Sequence, residues 1–170
     1  MDVKIPEGIS VEAKEGKVSV KGPLGELQRG FNTKILDVKV ENSLVTVTPK
    51  GKSKREGIMM ANTLEAHLKN MLNGVSKKFE KKLQVVYSHF PISVEVKGKE
   101  VFIKNFLGEK TPRKAVVRGS AGVEAKGQEI TVSGISAEEV GQTASNIIRA
   151  TRITKRDERI FQDGIYLDES

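Results

Sequence analysis

The 170 residues contain no cysteine. That removes disulfide frameworks, thiol nucleophiles and cysteine-based zinc or iron–sulfur sites, and it suits a reducing compartment. No stretch approaches the roughly 18 consecutive apolar residues that a membrane-spanning helix needs. The opening residues, MDVKIPEGIS, lack the apolar core of a signal peptide. The expectation is a cytoplasmic chain with no membrane partner. Catalytic constellations are missing too. The two histidines, His67 beside Leu68 and His89 in YSHFP, lack the glutamate spacing of a metalloprotease helix and read as structural. There is no Gly-x-Ser-x-Gly elbow and no aspartate-rich calcium loop. Gly119-Ser120-Ala121-Gly122 lacks both the Lys-Ser or Lys-Thr ending of a P-loop and the spacing of a dinucleotide fingerprint, and reads as a turn. Neither an enzyme nor a cofactor is expected.

What is present in excess is positive charge. Lys and Arg number 29 against 22 Asp and Glu, a net charge of +7 with a pI near 9.5. Such a balance favours polyanionic partners, although it also serves plain solubility, so the distribution of charge must decide.

Sliding the chain against itself exposes a duplication. Ser10-Val11-Glu12 recurs as Ser93-Val94-Glu95, KVSVK (17–21) resembles EVFIK (100–104), and Leu24-Gly25-Glu26 recurs as Leu107-Gly108-Glu109, each at an offset of 83. VKVENSLVTV (38–47) pairs with VEAKGQEITV (123–132) at 85, and SKRE (53–56) with SAEE (136–139) again at 83. Five elements in one order are poorly explained by chance. Each half begins with alternating apolar residues broken at turn signals, Glu15-Gly16 and Asn42-Ser43 in the first, which predicts antiparallel strands. A Ser-x-x-Glu capping box follows, with the serine accepting an amide hydrogen and the glutamate reaching back to close the first turn. A helix is predicted next, with an apolar stripe of Ile58, Ala61, Leu64, Leu68, Met71, Leu72 and Val75 in the first half and Val140, Ala144, Ile147, Ile148 and Thr151 in the second. The fold class is therefore α+β: two similar tandem domains, each a small antiparallel sheet packed against one helix. Phe79 to Tyr87 reads as a strand opening the second half. The junction falls close after Asn73-Gly74-Val75-Ser76, giving domains 1–78 and 79–170.

Residues 1–85 hold 16 Lys and Arg against 10 acids, and residues 86–170 hold 13 against 12. Net charge thus points to the first half, but six of the eight arginines lie in the second. Arginine is the side chain whose planar fork suits bidentate phosphate contact and stacking on bases. The arginines are also clustered. Residues 97–118 carry Lys97, Lys99, Lys104, Lys110, Arg113, Lys114 and Arg118 against Glu100 and Glu109. Residues 149–159 carry Arg149, Arg152, Lys155, Arg156 and Arg159 against Asp157 and Glu158. These two patches are the candidate contacts with a polyanion. The first-half lysines, with Lys77-Lys78 and Lys81-Lys82, read as an ordinary solvated face.

VYSHFPI (86–92), IKNFLGEK (103–110) and above all RIFQDGIYL (159–167) resemble the archaeal and eukaryotic branch of the sixth universal protein family of the large ribosomal subunit. The resemblance covers essentially the whole chain. It implies two similar α+β domains, no catalysis, and binding to large-subunit ribosomal RNA mainly through the C-terminal domain. It further implies a position near the sarcin-ricin loop, among neighbouring large-subunit proteins and beside the surface where translational GTPases dock. A non-ribosomal RNA-binding module would share the same basic patches. A-form RNA offers phosphates, 2′-hydroxyls and a shallow minor groove, so basic loops can follow its shape without reading a base sequence. On that footing Lys104, Lys110, Arg113, Lys114, Arg118, Arg149, Arg152, Lys155, Arg156 and Arg159 are expected RNA contacts. Asn105, Thr111 and Gln162 would add hydrogen bonds. Phe161 is expected in the core, and the segment after the second helix is expected to be extended.

Overall fold

The computed structural model describes every residue except 1, 7, 15, 42, 43, 51–53, 155, 158, 169 and 170, and leaves out the side chains of 2 and 54. The chain divides into two compact units, Met1–Lys78 and Phe79–Ser170. The same order of elements builds both, which is the duplication made physical.

In the first unit, β1 (Asp2–Lys4) is followed by a meander of β2 (Ser10–Lys14), β3 (Lys17–Gly22) and β4 (Gly25–Gly30). A hairpin of β5 (Leu36–Glu41) and β6 (Leu44–Pro49) leads into α1 (Lys54–Ser76). Strand alternation places Val11, Val18, Val20, Val45 and Val47 inward, where they pack with Ala61, Leu64, Leu68, Met71, Leu72 and Val75 of α1. The second unit repeats the plan with β7 (Phe79–Val86), a meander of β8 (Ser93–Lys97), β9 (Glu100–Lys104) and β10 (Arg113–Val116), a hairpin of β11 (Gly122–Lys126) and β12 (Glu129–Gly134), and α2 (Ala137–Ala150). It then adds β13 (Gly164–Leu167). The sheets run β2-β3-β4 and β5-β6-β1 in the first unit, and β8-β9-β10 and β11-β12-β7-β13 in the second, all antiparallel. Among the described residues each unit thus has two small sheets with its helix, where one sheet was expected.

A further expectation changes. Ile58 was placed in the core stripe but is 46% exposed. The helix enters close to the end of β6 at Gly57, where a β-carbon would come within 2.9 Å of Pro49. The inward row therefore runs Gly57, Ala61, Leu64, Leu68, and Ile58, one residue on, turns away from it. The repeated Leu-Gly-Glu tripeptide also takes two conformations. In the first unit Gly22 pairs with Gly25 across a two-residue loop, with Gly22 so close to Val75 that a β-carbon would overlap it. In the second, β9 and β10 are joined by the eight residues 105–112, which contain a single 3₁₀ turn, Phe106–Gly108.

The two capping boxes fare differently. Ser53 lies outside the described residues. Ser136 is extended and accepts the amide hydrogen of Glu139 at 3.4 Å, as an N-cap should. Glu139 does not reach back to Ser136. Its carboxylate accepts from the amide and hydroxyl of Ser120 at 2.9 and 3.1 Å, so it ties the 118–121 turn to the start of α2. Gly119 is required there: its φ is +57°, and a β-carbon would sit 2.0 Å from that carboxyl carbon. This turn therefore faces its own helix. Ser136→Ala should cost about 1 kcal/mol of stability through the lost cap. Thermal unfolding should record the loss while RNA affinity stays unchanged, and an unaltered melting temperature would show that the serine does not cap α2.

Candidate nucleic-acid interface

The three stretches that drew attention in the sequence meet at one place in the second unit. The 105–112 loop is anchored by Phe106, which is fully buried in the unit's core. Asn105 and Leu107, at φ of 59° and 50°, make the turn that drives the ring inward. Asn105 Nδ2 donates to the carbonyl of Pro91 at 3.0 Å, and Gly108 lies under the Phe90 ring, where a β-carbon would touch at 3.4 Å. The 103–110 stretch is thereby bound to the 86–92 stretch.

Arg113 fixes the other side of the loop. Its Nε and Nη2 donate to the two carboxylate oxygens of Glu109 at 2.8 and 2.7 Å, the parallel fork that suits this pair. Its Nη1 donates to the carbonyls of Ala150 and Arg152, at 3.0 and 3.2 Å, at the end of α2. The guanidinium also lies 4.3 Å from the centre of the Phe106 ring. A residue expected to meet RNA is thus occupied with four internal hydrogen bonds. The Arg113 hydrogen bond holds the Glu109 carboxyl below the usual carboxylate range; burial opposes this, and the charges of Arg113 and Arg156 add to it. Arg156 therefore belongs to the same neighbourhood.

The 159–167 stretch closes the arrangement. Asp163 is 1% exposed and accepts from the amide and hydroxyl of Ser88 at 2.8 and 2.9 Å and from Nδ1 of His89 at 3.2 Å. Burial raises its pKa, but these hydrogen bonds from Ser88 and His89 outweigh it, so the carboxyl stays below its ordinary value of 3.8. Phe161 packs against the core and stacks on His89 with centroids 4.9 Å apart, and Arg156 lies 4.8 Å from the same ring centre. Gly164 leaves room for Tyr166, whose ring would lie 3.2 Å from a β-carbon there and whose hydroxyl donates to the carbonyl of Gln162. Ile165 is buried, and its amide donates to the Thr151 hydroxyl, which itself donates to Ile148 at the end of α2. The segment before it is not simply extended: the Asp157 carbonyl accepts from Ile160 and Phe161, and its carboxylate from the amide of Arg159.

Ser88, His89 and Asp163 are the three side-chain types of a hydrolytic triad, but their geometry is different. A triad holds the acid on one ring nitrogen and the serine on the other. Here both lie against Nδ1, and the serine donates directly to the aspartate. The group is a structural lock. His67 is also structural: an arginine can only donate, so the 3.1 Å contact with Arg29 makes His67 Nε2 an acceptor.

The expected contact residues fall into three groups. Lys110 and Thr111 on the loop, Arg149 and Arg152 at the end of α2, and Arg156, Arg159 and Gln162 beyond it surround the frame just described, and all are exposed. Among the described residues none of these five cations has an ion-pair partner. Lys104 and Lys114 lie elsewhere, on the outer face of the β8-β9-β10 sheet. Lys104 pairs with Glu95 at 2.5 Å, and Lys114 sits 5.3 Å from the Phe102 ring centre. Arg118 is near the middle of α2, its amide held by the buried Thr143 hydroxyl. Lys155 lies outside the described residues. Sequence reasoning missed Glu109, Thr143 and Asp163 as fixtures. Only the first gave a signal, an acid four residues before Arg113.

No group of three or more metal-ligating side chains occurs among the described residues, and no helix is long and apolar enough to cross a membrane. The sequence model of the family described as Ribosomal protein L6 matches residues 5–78 and 90–164. The chain is 46% identical over 165 residues to large ribosomal subunit protein uL6 of Methanosarcina mazei, covering 97% of this chain and 93% of the relative. It is 47% identical over 169 residues to the uL6 of Methanobrevibacter smithii, with 98% and 93% covered. Against that of Ignicoccus hospitalis it is 42% identical over 171 residues, with 97% and 91% covered.

The lock generates a pH-linked expectation. A carboxyl whose folded pKa is depressed contributes stability that is present above its unfolded pKa and is lost as pH falls through the folded value. Asp163→Asn should therefore lose about 2 kcal/mol at pH 7, where charge-assisted hydrogen bonds disappear. The difference from wild type should shrink as the pH falls below 3.8. Unfolding curves at a series of pH values check this, and a pH-independent difference would contradict it.

Proposed function

Because the chain belongs to the ribosomal protein L6 family, we propose that it is a structural constituent of the large ribosomal subunit, holding large-subunit ribosomal RNA with its second unit. One observation carries the division of labour. Lys110, Arg149, Arg152, Arg156 and Arg159 are gathered around one rigid frame and, among the described residues, have no ion-pair partner, whereas paired cations in either unit, such as Lys14 with Glu12 and Lys126 with Glu124, are neutralised locally. A phosphate backbone attracts the former and gains less from the latter.

The frame explains how such a surface works. Long cations lose rotamer freedom when they bind, and a mobile loop would add the cost of ordering its backbone. Phe106, Arg113 and Asp163 have already fixed that backbone, so the exposed cations are delivered at set positions. This is recognition by shape and charge, with Thr111 and Gln162 in place to add hydrogen bonds to sugar or phosphate oxygens. The role is binding and not catalysis. Its setting is the cytoplasmic ribosome, among neighbouring large-subunit proteins, near the sarcin-ricin loop and the surface where translational GTPases dock. Co-sedimentation with large subunits through a high-salt wash separates this reading from an RNA-binding module that acts outside the ribosome.

Two measurements test the division. Residues 79–170 should bind the large-subunit RNA site as a fragment while residues 1–78 bind weakly, and equal affinities would sink the proposal. Changing Arg156 and Arg159 together to Ala should weaken binding about equally for cognate and unrelated structured RNA. The slope of log affinity against log salt should flatten by roughly 1.4 to 1.8, given about 0.7 to 0.9 for each neutralised phosphate. An unchanged slope with a lowered melting temperature would remove these arginines from the interface, since Arg156 also stacks on Phe161.

A further inference from the structure

Between the end of α2 and β13 lies a groove of about 370 Å³, lined in part by Ile148, Ile153, Ile165 and Tyr166, with Arg149 and Arg152 on its rim. Resting on the RNA reading above, we propose that this groove seats one unstacked nucleotide of the RNA, with its base against the isoleucines and Tyr166 and its phosphate on the two arginines.

The chemistry of the walls selects the occupant. Among the described residues no carboxylate lines the groove; the neighbouring Asp163 points the other way, onto Ser88 and His89. Among the described residues neither Arg149 nor Arg152 has an ion-pair partner, so the rim carries uncompensated positive charge over an apolar floor. An inorganic anion has no use for that floor, and an apolar peptide segment has none for two guanidinium groups. A nucleotide uses both. The volume lies in the range of small-ligand sites, about 300 to 1,000 Å³, and suits one nucleotide better than a run of bases. RNA supplies such a group wherever a loop or bulge lets a base leave the stack, and aromatic and arginine side chains are its usual seat. The walls are also preorganised. Tyr166 is held by its hydroxyl bond to Gln162 and by the bare backbone of Gly164, and the backbone of Arg152 is fixed by Arg113.

The test uses the full chain and the variant Ser145→Trp, which puts a large ring into the groove from an exposed position without altering charge. Isoleucine methyl spectra titrated with adenosine 5′-monophosphate and uridine 5′-monophosphate should show shifts at Ile148 and Ile153. Inorganic phosphate should leave those methyls in place, and Ser145→Trp should abolish the nucleotide response. The variant should also bind a large-subunit RNA fragment about tenfold more weakly, the order expected for one lost stacking contact. In a footprint, one nucleotide that is reactive in the wild-type complex should revert to stacked behaviour. Equal responses to phosphate and to the monophosphates would overturn the proposal, as would an RNA affinity unaffected by Ser145→Trp, whether or not a protein partner fills the groove instead. If the wild-type chain fails to bind the RNA fragment at all, the reading of the previous section fails with it. Normal binding with an indifferent variant removes the nucleotide seat alone.

Discussion

The guanidinium of Arg113 joins the parts of the second unit on which the interface depends. It grips Glu109 on the loop, two carbonyls at the end of α2, and the face of Phe106 in the core. Without it the 105–112 loop, the helix end and the segment that follows would be three separate surface pieces, each with its own conformational entropy to lose on ordering. Lysine cannot replace it, because a single ammonium lacks the planar fork that meets a carboxylate twice and still reaches two carbonyls. The charge of Arg113 is therefore used to build the surface, and the charges of its neighbours are left exposed on it.

The duplication explains why this happens in one unit only. Both units share a meander, a hairpin and a helix, and both bury a valine-rich face against that helix. They differ where the meander turns. A two-residue loop pressed against Val75 leaves no platform at that corner of the first unit, while eight residues give the second one. The second unit also continues past its helix, and β13 returns along β7, so the chain after α2 is held at both ends. The same ancestral fold thus carries a closed corner in one copy and a braced, positively charged face in the other.

Much of the fold was legible in the sequence because it rests on periodic patterns. Alternation marks the strands, the apolar row from Ala61 to Val75 marks α1, and Ser136 marks the start of α2. What escaped was set by tertiary proximity. Ile58 fits the helical period but loses its place to Gly57, since only a glycine fits against Pro49. Glu139 fits a capping box but finds Ser120 closer. The candidate site was legible as charge and not as arrangement: composition cannot distinguish Arg113, wholly engaged inside the unit, from Arg149, which has no ion-pair partner among the described residues. It also could not separate Lys104 and Lys114, on a sheet face with Glu95 and Phe102, from the cations around the loop. The DGIY element stands out in the sequence only as a carrier of the family resemblance; in the structure Asp163, Gly164 and Ile165 each serve the interior.

The central claim is that one braced face of the second unit meets large-subunit RNA. A hydroxyl-radical footprint on that RNA tests it most directly, comparing the full chain with one variant in which Lys110, Arg149, Arg152 and Arg159 are changed to Gln and another in which Lys14, Lys17, Lys21 and Lys69 are. The account predicts a contiguous protected region that is lost in the first variant and retained in the second. Protection that survives the first variant and vanishes in the second would place the interface in the other unit and contradict the account.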